Sequence, residues 1–281
     1  MSHPPDLTDR RTLLVRRARA LRQGAELFLH EEVADEIEER LSEVNKSFTA
    51  PAVVTAFPDL WRNRLPEARI VADDEVLDLA EGGHDLVIHA LALHWANDPV
   101  GQLVQARRAL KPDGLFIAAL FGGRTLNELR TVLAETESRL TGGLSPRVLP
   151  MGEIRDLGGL LQRAGFALPV ADSLAKTVTY RSAFHLIADL RAMGESNALA
   201  ARSRRPVPRQ FFPEAAALYA AHFPAPEGRI AATFDICFLT GWAPHESQQK
   251  PLRPGSAVAR LAEALGTVER PAGPVRDKGG D

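Results

Sequence analysis

Leu29, Val33, Ile37, Leu41 and Val44 recur at helical spacing, with Glu31, Glu32, Asp35, Glu38 and Glu39 mostly on other faces. That spacing predicts an amphipathic helix, which needs a core to lie on. The pattern then shortens. Residues 52–57 (AVVTAF) read as a short buried strand, and Pro58 opens a short helix through Trp61. Residues 69–72 (RIVA) read as another strand, ending in the acidic cluster Asp73, Asp74 and Glu75.

The middle of the chain is the most regular. Residues 84–89 (HDLVIH) form a near-continuous apolar run between turn signals, the pattern of a strand covered on both faces. Asp98 and Pro99 start a helix through Val100, Leu103, Val104 and Leu110. In the tight turn 111–114 (KPDG), proline presets one torsion and glycine is expected to take a positive one. Another apolar strand, 115–120, leads to Gly122 and Gly123. Thr125 and Glu128 then read as a capping box for a helix with Leu126, Leu129, Leu133 and Leu140 on one face.

Strand, helix, turn, strand, helix implies a parallel sheet with right-handed crossovers. Further on, a helix carrying Ile154, Leu157, Leu161 and Ala164 ends at Gly165. A strand through 177–180, a helix around Leu186 and Leu190, and a proline-opened helix near Pro213 follow. Ile230, Ala232, Phe234, Ile236 and Phe238 share one face of a last strand, which suits an antiparallel strand near a sheet edge. The predicted fold class is α/β, doubly wound, with a mostly parallel sheet and an antiparallel last strand.

Composition narrows the function classes without selecting one. At 281 residues, with 45% hydrophobic and 25% charged positions, the chain has the make-up of a globular protein. A net charge of -2 provides no general positive field for nucleic acid or an anionic membrane. Cys237 is the sole cysteine, which excludes an intramolecular disulfide and a cysteine zinc cluster and fits a reducing, cytoplasmic location. No apolar run approaches the roughly 20 residues of a spanning helix. Arg10, Arg11, Arg16, Arg17, Arg19 and Arg22 crowd the start, where Asp6 and Asp9 weigh against a targeting helix. This segment, 1–24, reads as a solvated helix start or a partner surface; a domain over 25–263 and a disordered tail over 264–281 complete the expected organisation.

Asp85-Leu86-Val87, His94-Trp95 and 108–114 (RALKPDG) resemble class I S-adenosylmethionine-dependent methyltransferases, as does the helix end 163–166 (RAGF). Segments 91–98 (LALHWAND), 121–130 (FGGRTLNELR) and 193–197 (MGESN) resemble, more narrowly, the mitochondrial NADH:ubiquinone oxidoreductase assembly factor 5 family. The malonyl-carrier-protein methyltransferases of biotin synthesis are a more distant likeness. The resemblance covers roughly residues 14–260. It implies S-adenosylmethionine as cofactor, a protein client such as a respiratory complex I subunit, and, through the assembly-factor branch, arginine hydroxylation.

One departure matters. The family's cofactor needs a glycine-rich turn after the first strand, because a Cβ there would collide with it. Here that strand is followed by Phe57, Pro58, Asp59, Leu60 and Trp61, with no glycine between Gly24 and Gly82. Val53 and Asp73 lie only twenty positions apart, so one strand–helix unit is expected to be lost or compressed near the second strand.

Three readings follow: a methyltransferase-like protein with an altered cofactor site and an unknown acceptor, a non-catalytic assembly factor that binds a protein client, or an arginine-hydroxylase-like relative. For the first, Asp73 and Asp74 would contact the adenosine, His89 would sit at a strand's carboxyl end, and Trp95 would wall the pocket. His94 is the best acid–base candidate, since its ordinary pKa lies near neutrality. For a client, Phe57 and Trp61 would be aromatic anchors and Arg124 and Arg147 would grip carboxylates. Trp242, with His245, would line the entrance.

Each has an ordinary alternative: a helix cap for the acids, packing for His94 and the aromatic residues, surface ion pairs for the arginines. Gly122 and Gly123 either admit a substrate or form a plain loop, and 193–197 is either a lid or a helix end. Cys237 is expected to be buried. His84, His89 and His94 recur every five residues, which no single face collects, so no metal site is expected. The oligomeric state is left open.

Overall fold

A computed structural model describes residues 5–248. Helices α1 (Arg10–Gln23) and α2 (Phe28–Glu43) precede strand β1 (Pro51–Thr55), α3 (Pro58–Arg64) and β2 (Arg69–Val71). β3 (His84–Ala90) is followed by a 3-10 turn, Leu93–Trp95, then α4 (Pro99–Ala109), β4 (Leu110–Gly122), α5 (Asn127–Thr141) and α6 (Ile154–Ala164). The rest comprises β5 (Ala167–Tyr180), α7 (Ala183–Ala192), α8 (Phe211–His222), the short β6 (Pro224–Ala225) and β7 (Arg229–Trp242).

The strand order is β2-β1-β3-β4-β7-β5, with β6 added to β7. β2, β1, β3 and β4 run parallel, and β7 is antiparallel to both β4 and β5. This is the expected α/β class, with β7 second from the edge. Period-two alternation sends successive side chains to opposite faces. Val53, Leu86, Ile88, Leu115 and Ile117 pack with α2 and α5, whereas Ala52, Val87, Phe116, Ala118 and Leu120 pack with α4 and α6. Both faces are covered, which is why the central strands read as unbroken apolar runs.

Compression near the second strand is visible. β2 has three residues and stands at the edge, and the chain reaches β3 from Val71 without another helix or strand. Segment 1–24 carries α1, which belongs to the compact unit ending at His245. Asp9 caps it, its Oδ1 accepting from the Thr12 amide at 2.9 Å. Leu13, Arg17 and Ala20 form its buried stripe. The tail placed at 264–281, and the domain end at 263, lie outside the described residues.

Two local expectations are corrected. Residues 111–114, expected as a turn before the strand, lie inside β4, where Asp113, at φ 61°, takes the left-handed torsion instead of Gly114; a Cβ on Gly114 would meet the Lys111 carbonyl at 2.9 Å, so glycine serves close packing there. Thr125 and Glu128 form no capping box, because β7 claims both side chains. The Thr125 hydroxyl accepts from the Asp235 amide and the Glu128 carboxylate accepts from Thr233, while α5 starts from a left-handed Leu126 with no side-chain cap.

Candidate functional site

Ligands of open α/β sheets bind beyond the carboxyl ends of the parallel strands. In this chain that edge is formed after Thr55, Val71, Ala90 and Gly122, and it divides into two halves.

Over β1 and β2 the edge is filled by the chain itself. Arg17 reaches down from α1, its Nη1 donating to both carboxylate oxygens of Asp73 at 2.8 Å. Arg10 adds a bond to Asp73 Oδ2 at 3.2 Å and one to the Asp73 carbonyl at 2.6 Å. Burial pushes the Asp73 carboxyl up, but the two guanidiniums outweigh it and hold it below the usual range. Both partners of the Arg17–Asp73 pair have side chains only 5% exposed. Phe57 fills the turn after β1, its ring edge-on to His30 at 4.7 Å, and its amide already donates to the Thr55 hydroxyl. Gly194, at φ 75°, lets the segment after α7 close over this plug: a Cβ there would lie 2.9 Å from Arg17 Cγ.

The acidic group expected to hold a nucleoside is spent on Arg17 and Arg10, and the bend beside it holds a phenylalanine.

Beyond β4 the edge opens into a cavity of about 570 Å³. Its wall includes Phe121, Leu129, Leu133, Leu190 and Phe234, with Trp95 and Glu195 among the buried groups and Arg16, Arg19 and Arg191 nearer solvent. Glu195 Oε2 accepts from Trp95 Nε1 at 2.8 Å and lies 3.1 Å from His94 Nε2. Burial pushes the Glu195 carboxyl up, but the electrostatic pull and hydrogen bond of His94, helped by the Arg17 guanidinium, prevail and keep it below the usual range. A smaller cavity of about 260 Å³, lined by Asp6, Arg10, Glu75, Asn97, Asp98 and Gln102, lies beside the acidic cluster.

The other sequence candidates separate clearly. His94 is buried against Glu195 and is not part of the cavity wall, whereas its neighbour Trp95 is. His89 lies inside β3, its Nε2 2.8 Å from Gln102 Oε1; burial brings its pKa down to about 4, so it is a neutral brace. Gln102 in turn holds the Asp74 carbonyl, and the Asp74 carboxylate is largely exposed.

Phe57 and Trp61, expected as surface anchors, are 2% and 1% exposed and belong to the packed interior, where no client can reach them. Arg124 is exposed and leans on Asp235 at 3.6 Å. Arg147 lines the cavity, but its guanidinium is clamped by Glu137 at 2.7 and 3.0 Å and lies 4.4 Å from the centre of the Phe211 ring. Trp242 pairs with Leu115, in the first half of β4 and away from the carboxyl edge, and neither it nor the exposed His245 after it lines this cavity.

Gly122 and Gly123 are packing glycines, since a Cβ would lie 2.5 Å from Cys237 Sγ or 2.6 Å from Asp235 Oδ2. Segment 193–197 is a fixed helix end, closed by the Glu195 amide bonded to the Leu190 carbonyl. Cys237 is buried, and desolvation raises its thiol to about 11. Among the described residues, no His, Cys, Asp and Glu cluster is placed to hold a metal, and no helix is long and apolar enough to cross a membrane.

Sequence reasoning missed Arg17 and Glu195. For Arg17 a signal existed, a lone cation between Leu13 and Ala20 on an otherwise apolar stripe. Glu195 had none beyond its place in 193–197.

Comparison with known proteins adds the following. Residues 35–118 match the model of a methyltransferase domain. The human protein named Arginine-hydroxylase NDUFAF5, mitochondrial, is 39% identical over 225 residues, 80% of this chain and 65% of that protein. This chain thus spans less than two thirds of that relative. Malonyl-[acyl-carrier protein] O-methyltransferase of Laribacter hongkongensis is 32% identical over 76% of this chain and 72% of its own length. A solved phosphoethanolamine N-methyltransferase 2 of Haemonchus contortus, in complex with S-adenosyl-L-methionine, aligns with a TM-score of 0.41 and 11% identity over 75% of this chain and 52% of that one.

Proposed function

This chain belongs to the class I S-adenosylmethionine-dependent methyltransferase family, and from that premise we propose that it uses the fold to capture a protein client. The client presents an arginine to the cavity beyond β4, in keeping with the name of the human relative, and a respiratory complex subunit is the client type we favour. One observation carries the reading. The half of the edge that would seat a nucleoside is plugged by the Arg17–Asp73 pair, while the half that would seat a partner group is open.

A second reading, methyl transfer from S-adenosylmethionine, is favoured by the methyltransferase-domain match and by the acidic residue retained after β2. It requires α1 to withdraw Arg17 first.

Two assays on the same protein separate these readings: labelled-methyl transfer from S-adenosylmethionine into cell extract, and photo-crosslinking from position 133 in the cavity wall. Client capture expects no label and a crosslink close to an arginine of a respiratory-complex subunit. Transfer of the label overturns it in favour of the second reading.

A further inference from the structure

We propose that Glu195 is the receptor for the client's guanidinium, and that the arginines at the cavity mouth select a client segment with acidic residues on either side of that arginine. This rests on the client-capture reading and names the chemistry it leaves open.

The floor supplies the first half. The Glu195 side chain is 6% exposed and its Oε1 has no hydrogen-bond partner among the described residues, although Oε2 is engaged by Trp95 and His94. A buried carboxylate oxygen without a donor is costly, by about 1–3 kcal/mol or more for a charged group, so it calls for a cationic or N–H donor. Arg17 acts on Glu195 through its charge, but its Nη1 is bound to both Asp73 oxygens and the residue does not line the cavity. The wall suits a long cationic side chain, because Leu129, Leu190 and Phe234 cover methylenes and Trp95 offers an indole to a planar cation. Arginine fits better than lysine on these grounds: its flat, weakly hydrated guanidinium can stack and donate at once.

The mouth supplies the second half. Arg16, Arg19 and Arg191 all line the cavity, and none of their guanidiniums has a hydrogen bond or ion pair among the described residues. Burial and the neighbouring Arg202, Arg19 and Arg191 lower the Arg16 pKa, so the positive charges crowd one another. A ligand bringing only a cation would meet repulsion on entry. One whose cation is flanked by carboxylates meets opposite charge at the mouth and at the floor.

The test uses the whole chain and three labelled nonapeptides followed by fluorescence anisotropy. One has a central arginine between acidic residues, one has citrulline in its place, and one keeps the arginine between lysines. The arginine peptide should bind about tenfold tighter than the citrulline peptide, which has the same shape without the charge. In Glu195→Gln, whose amide oxygen still accepts from Trp95, the two should bind alike. In Arg19→Glu the preference for acidic flanks should weaken or reverse.

Equal binding of arginine and citrulline by the unmodified chain overturns the proposal, and that comparison needs no variant to fold. Discrimination that survives in Glu195→Gln overturns it as well. The client reading stands in either case if the crosslink from position 133 still maps to a respiratory-complex subunit, and falls if labelled methyl is transferred instead.

Discussion

The two halves of the sheet's carboxyl edge differ in what fills them. Over β1 and β2, an arginine from α1, a phenylalanine from the following turn and a histidine from α2 close the space. Over β4, α5 and α7, apolar side chains leave about 570 Å³ open, around which, among the described residues, one carboxylate oxygen has no hydrogen-bond partner and three arginine side chains have no ion pair. One set of layers and one topology thus carries a filled half and an open half of the same edge. The determinant is local, namely which side chains stand at the first two strand ends.

The severest challenge to this contrast is Arg17→Met. Cutting a buried ion pair should cost about 3–5 kcal/mol, measured by urea unfolding. Replacing both partners, as Arg17→Met with Asp73→Leu, should recover most of that loss. A single variant as stable as the unmodified chain would mean the plug holds nothing.

A pH series sharpens the contrast. Burial lowers both His30 and His89 to about 4 from the ordinary 6.5. Between those values the unfolded chain binds more protons, so stability is full above about pH 6.5 and falls as the pH drops toward 4. The slope should approach about 1.4 kcal/mol per pH unit for each histidine. His30→Leu should remove about half of it, and an unchanged slope would show that His30 is not held neutral beside Phe57.

Gly194→Ala combines an unfavourable positive torsion with a Cβ 2.9 Å from Arg17 Cγ. Calorimetry should show a loss of about 1–2 kcal/mol. Arg124→Ala should change stability by less than about 0.5 kcal/mol, because its side chain is 75% exposed and its contact with Asp235 is long. A larger loss would give that surface a role it lacks in the contrast.

Most of the fold was legible in the sequence because periodicity reports burial. The apolar runs at 84–89 and 115–120, and the alternation from Ile230 to Phe238, correspond to β3, β4 and β7. The turn after β1, where the sequence lacks a glycine, is where Phe57 packs against His30. What filled the gap was not legible, since Arg17 and Asp73 meet across 56 positions and no local rule pairs them. Phe57 and Trp61 looked like surface anchors because an aromatic residue in a loop carries no sign of its burial. Trp242 was assigned to the entrance because strand direction, which puts it away from the carboxyl edge, depends on pairing that sequence alone does not reveal. Thr125 and Glu128 satisfied a local capping pattern but were taken by a strand more than a hundred positions later.

Calorimetric titration of the unmodified chain with S-adenosylmethionine goes straight to the closed half of the edge. The account predicts no saturable heat at millimolar ligand, with binding emerging only when Arg17 is removed. A saturable isotherm in the micromolar range with Arg17 in place would contradict it.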